Sequence, residues 1–127
     1  MSFLDRVISI ANELGKKEGE QSKPDLLDGV IKMVREKGIS GLAEDFRSRG
    51  LGEIASSWIG PGENKPISTD QIKAILGHEK LQELARRAGV SPENASKFFT
   101  NVLPGLVDRL TPEGKPPADE SEGATGA

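Results

Sequence analysis

The chain of 127 residues has no cysteine and no tyrosine, one histidine and one tryptophan. Without cysteine there is no disulfide framework, no thiol nucleophile and no thiolate ligand for zinc. A single histidine, His78, makes no metal cluster, and nothing in the sequence pairs it with a nucleophile or a second acid–base group. No run approaches the roughly 18 apolar residues of a membrane span. The opening MSFLDRVISIANELG does not read as a signal peptide, because Asp5 and Arg6 interrupt its apolar stretch and no small-residue cleavage site follows. Positive charge is scarce too. Lys and Arg number 17 against 20 Asp and Glu, a net charge of −3, so no global basic field attracts nucleic acid. These absences fit a cytoplasmic protein with no membrane contact that folds without metal or cofactor.

What is present is helical patterning. The length suits one domain, and a hydrophobic share of 35% beside 29% charged residues implies helix faces meeting in one modest core. Phe3, Leu4, Val7, Ile8, Ala11 and Leu14 follow a 3.6-residue period, with Ser2 as cap and Gly15 as stop. The charged stretch KKEGEQSK reads as a loop. Ser22 and Pro24 open a second helix that buries Leu26, Leu27, Val30, Ile31 and Val34 and stops at Gly38. A short third helix is expected from Ser40, with Leu42, Ala43 and Phe46 inward, closing at Gly50. Leu51, Ile54, Ala55, Trp58 and Ile59 form the next stripe.

Gly60-Pro61-Gly62, Asn64 and Pro66 then make a dense turn signal. It lacks the GK[ST] ending and the preceding strand of a phosphate loop, so it reads as a plain interhelix turn. Ser68 and Gln71 have capping-box spacing, and Ile67 and Ile72 are placed for a hydrophobic staple. Ile72, Ile75 and Leu76 face inward, and a helix from about His78 buries Leu81, Leu84, Ala85 and Ala88 before a Gly89 cap. Ser91-Pro92 starts the last helix, which holds Phe98, Phe99, Val102, Leu103, Leu106 and Leu110 and is expected to kink or break near Pro104. The 17 residues from Thr111 hold three prolines, three glycines and four acids against one lysine, a composition that reads as disordered. The expectation is an all-α bundle of about seven short helices, a domain over residues 1–112, and a disordered tail over 113–127. Residues 51–67, with Trp58, look like the stretch the others pack around.

With those elements in place the chain resembles the YidB-like family, bacterial proteins of unknown function. The likeness rests on Phe3-Leu4-Asp5, GLAEDFRSRGLGEIASSWIG (41–60), Asn64, ISTDQIKAILG (67–77) and LARRAGVSPENASKFFTNVLPGLVDRLTPEG (84–114). The resemblance implies a compact all-helical domain and brings no catalytic residues with it.

Two functional readings follow. In the first, the chain is a non-enzymatic cytoplasmic domain that contacts another protein or itself. In the second, residues 80–101 are a helix-turn-helix, with Gly89 at the turn and Arg86, Arg87, Asn94 and Lys97 as the DNA-contacting side chains. Charge disfavours the second. Over residues 78–110 five basic residues face four acidic ones, and Glu93 sits where phosphates would come. Trp58 shares its face with Ile54, Ala55 and Ile59, which makes it a core plug with its indole N–H on a loop carbonyl rather than the wall of a ligand groove.

Overall fold

The computed structural model describes residues 2–17 and 23–117. Six helices follow one another: α1 (Phe3–Lys17), α2 (Pro24–Ser48), α3 (Gly52–Ile59), α4 (Thr69–Leu76), α5 (His78–Ala88) and α6 (Pro92–Leu110). No strand occurs among the described residues. The fold is all-α, with six helices rather than about seven. The difference lies at Gly38, which alone takes a non-helical conformation (φ 69°, ψ 172°) inside α2. Glycine populates that left-handed φ without steric cost, and the helix resumes at the next residue. Ser40, expected to cap a separate helix, therefore lies inside a kinked continuous one. Ser22 and the residues expected to be disordered over 118–127 lie outside the described residues; α2 starts after Lys23, with Pro24 in its first turn and no side-chain cap.

Helix α1 begins where Ser2 Oγ accepts the Asp5 backbone N–H at 3.2 Å. It buries Phe3, Val7, Ala11 and Gly15. Gly15 does not end it. Glycine costs a helix interior only about 1 kcal/mol, less than burial of this face returns. Ile8, read as inward, is 39% exposed.

The connection between α3 and α4 turns on Trp58. It is 1% exposed, meets Phe46 edge-on at 5.2 Å and 72°, and donates its indole N–H to the Lys65 carbonyl at 2.8 Å. Asn64 Nδ2 donates to the Pro104 carbonyl at 3.4 Å, fastening the same loop to α6. The capping box is present: Ser68 Oγ accepts the Gln71 N–H at 3.1 Å, and Gln71 Oε1 accepts the Ser68 N–H at 2.9 Å. Ile67 and Ile72 are both buried. Replacing Ser68 with Ala is expected to cost about 1 kcal/mol, with Ser68→Asp near wild type, as an N-cap requires. Urea midpoints of the two variants check this; equal losses would remove the cap from the account.

Helix α6 is the hub of the fold, because it packs against all five other helices. It buries nine residues from Ala95 to Leu110 and continues unbroken through Pro104. The lost N–H of a proline weakens a helix, but here Val102, Leu103, Leu106 and Val107 are held in the core on either side. Beyond Leu110 the backbone is irregular as far as Pro117, and buried Thr111 donates its hydroxyl back to the Val107 carbonyl at 2.9 Å.

Candidate functional site

Two helices distant in sequence build a groove between them. The first half of α2 places Asp25, Asp28, Gly29 and Lys32 on one stripe, and α5 places Lys80, Glu83, Leu84 and Arg87 on another with the same i, i+3, i+4, i+7 spacing. Both stripes, with Met33 and Leu76, line a cavity of about 180 Å³. Gly29 is what lets the helices approach: a Cβ there would lie 3.0 Å from Leu84 Cδ2 and 3.5 Å from Phe99 Cζ. Met33 is buried and Leu76 and Leu84 are half-buried, so the floor is apolar. The rim is exposed and carries both signs. Glu83 pairs with Arg87 at 2.8 Å, while Asp25, Asp28, Lys32 and Lys80 are in no ion pair among the described residues. A pocket of this size is on the scale of the roughly 150 Å³ cavity that admits benzene, so it takes one large apolar side chain.

A wider depression of about 650 Å³ lies beside α3. It is open to solvent, and its cations Arg47 and Lys65 are already paired, with Glu44 and Glu53. It offers fewer free charges than the α2–α5 groove.

The helix-turn-helix residues are divided by the structure. Gly89 closes α5 in the left-handed conformation (φ 71°), and the Val90 N–H reaches the Ala85 carbonyl at 3.0 Å, the closing bond of a Schellman motif. Ser91 caps α6 by accepting the Asn94 N–H at 3.1 Å. Arg86, Arg87, Asn94 and Lys97 are all exposed. Arg87 lines the groove toward α2; Arg86, Asn94 and Lys97 do not. Glu93, at the start of α6, meets Lys73 at 3.2 Å. That hydrogen bond, and then the Lys73 charge, hold its carboxyl below the usual carboxylate range.

His78 opens α5 and is exposed. No group of three or more His, Asp or Glu suited to a metal ion occurs among the described residues. No helix there is long and apolar enough to cross a membrane. The groove itself escaped the sequence reading, because only the packing of α2 on α5 creates it. Its trace in the sequence is the matched spacing of the two charged stripes and a glycine in the middle of one of them.

The family model described as YidB-like protein matches residues 9–119. The chain is 33% identical over 88 residues to the "Uncharacterized protein YidB" of Escherichia coli (strain K12), an alignment that covers 68% of this chain and 67% of that protein. No solved structure matches it. With most of its length inside the family model, and with a relative aligned across both chains, this protein belongs to the YidB-like family.

Proposed function

We propose that this domain works in the cytoplasm by contact with a protein chain, its own or another, and catalyses no reaction of its own. The α2–α5 groove is its docking face. One observation carries this reading: an apolar floor for a single side chain, enclosed by a rim of Asp25, Asp28, Lys32 and Lys80 that holds both signs of charge. A buried apolar anchor inside a polar rim is the arrangement that concentrates binding energy in protein interfaces. The test is a photo-crosslinking residue placed at Lys80, with one at exposed Glu63 as control. A discrete protein adduct from position 80 that is absent from position 63 is expected. Equal labelling at both positions, or none at position 80, overturns the reading.

A second reading keeps α5 and α6 as a DNA-binding pair, and the exposure of Arg86, Asn94 and Lys97 around the Gly89 turn is what favours it. The charges oppose it. Duplex affinity comes mainly from phosphate contacts by Lys and Arg, whereas Glu93 and Glu83 stand among these residues. We expect no submicromolar binding of mixed duplex DNA at physiological salt, measured by fluorescence anisotropy across a salt series. Tight binding with a steep salt slope that Arg86→Ala or Lys97→Ala flattens would promote the DNA reading over the contact reading.

A further inference from the structure

We propose that the outer side of α1 is a second contact face, on which two copies of this chain pair antiparallel about a two-fold axis. The inference stands apart from the α2–α5 groove and goes beyond it. Phe3, Val7, Ala11 and Gly15 bury one side of α1 in the domain's own core. Asp5, Ser9, Asn12 and Lys16 are all exposed, and at 100° per residue they share a stripe about 60° wide on the opposite side. Ile8, the large hydrophobic residue left exposed among the described residues at 39%, lies about 70° around the helix from the middle of that stripe. Asp5 and Lys16 are in no ion pair among the described residues. A lone exposed aliphatic residue is common on proteins; the order of charge on the stripe is what names the occupant.

In a two-fold contact the same surface serves both copies, so it must complement itself. The stripe does so in one direction. Its spacing of four, three and four residues reads the same from either end, so two antiparallel copies bring all four positions level at a single register, with the axis midway between Ser9 and Asn12. Asp5 then faces Lys16 of the second copy, Lys16 faces its Asp5, and the small polar Ser9 and Asn12 face each other at the centre. Exposed Lys17 falls one residue further, about 1.5 Å along the axis, beside the same Asp5. The flank of α1 toward α6 carries Glu13, which meets Arg109 at 2.9 Å. Glu13 comes about 3 Å along the axis from Arg6 of the second copy, again opposite in sign. On the other flank the two Ile8 side chains lie on the same side of the helix pair, each about 1.5 Å along the axis from Asn12 of the other copy. Laid parallel, Asp5 would meet Asp5 and Lys16 would meet Lys16, like charge against like, so the stripe selects direction as well as partner. Each charge also suits its own end of α1, acid at the start and base in the last turn. Mixing two variant chains separates the two roles, because the helix dipole is blind to a second chain.

Sedimentation velocity of the full chain at low salt, from micromolar to millimolar, tests this. The wild type should pass from monomer to dimer and stop there, since a two-fold contact closes. High salt should move the transition to higher concentration, because the charges are exposed. Ile8→Gln, a surface change to a good helix former, should weaken the dimer. Asp5→Lys and Lys16→Asp should each weaken it about tenfold or more, because each turns two symmetry-related attractive pairs into repulsive ones. An equimolar mixture of the Asp5→Lys and Lys16→Asp chains should recover most of the dimer, since every lysine at positions 5 and 16 then faces an aspartate. Far-UV circular dichroism shows that each variant is folded. A wild type monomeric throughout, growth past the dimer, or a dimer indifferent to both charge reversals overturns the inference. So does a mixture that associates no better than its two components, because the charges then serve only their own helix. The crosslink from position 80 reports on the groove alone, so this face and the groove stand or fall separately.

Discussion

Trp58→Ala is expected to lose about 3–5 kcal/mol of folding stability, the range of large-to-alanine changes in cores. Stability of a domain of this kind is roughly 5–15 kcal/mol, so the variant retains a fraction of it at best. The indole is 1% exposed and packs edge-on against Phe46 at 5.2 Å, so its removal leaves a cavity between α2 and α3. It also frees the Lys65 carbonyl, which accepts the indole N–H at 2.8 Å. Trp58→Phe separates the two effects. It keeps most of the apolar area, and loses the hydrogen bond, worth about 1 kcal/mol net, with a smaller cavity than alanine leaves. Urea denaturation of the three proteins is the measurement. A Trp58→Ala protein that unfolds within a few tenths of a molar of wild type would place the indole outside the core and reopen it as a binding surface.

Phe99→Ala is expected to cost a similar 3–5 kcal/mol, for a different reason. Phe99 is fully buried on the hub helix α6. It meets Phe98 at 6.4 Å and 75°, and its ring end lies 3.5 Å from where a Gly29 Cβ would be. The ring therefore fills the space behind the groove, where α2 passes over α6, and truncating it loosens three helices at once. Ile8→Ala is the control on the same scale and is expected to stay within about 0.5 kcal/mol of wild type, as exposed positions do. If Phe99→Ala proved no more costly than Ile8→Ala, the assignment of α6 as the hub would fail.

Local signals in this chain were read correctly wherever the physics itself was local. The capping box at Ser68 and Gln71, the Schellman close at Gly89 and the Ser91 cap each involve atoms within about five residues. The chain between them has no alternative partner. The indole hydrogen bond to the 60–67 loop was legible for the same reason: a buried tryptophan N–H needs an acceptor, and the loop follows immediately. Membership of the YidB-like family was also legible, in the order of glycines, caps and Trp58, and the family match over residues 9–119 bears it out.

Where the sequence reading went astray, a distant part of the chain supplied the deciding energy. Gly15 looked like a helix end, but its face is buried with Phe3, Val7 and Ala11, and α1 continues through it. Pro104 looked like a break, but the apolar residues on both sides of it are locked in the core. Gly38 was rightly seen as an interruption, yet the helix restarts beside it and the count falls by one. The stretch around Trp58 looked central because it holds the one large indole; α6 is central because it touches every other helix. The caps at Ser68, Gly89 and Ser91 and the turn after α3 were thus set by the sequence itself, through short-range hydrogen bonding. The hub, and the groove where Gly29 lets α2 and α5 approach, were decided by tertiary structure alone, since both depend on which faces meet between segments apart in the chain.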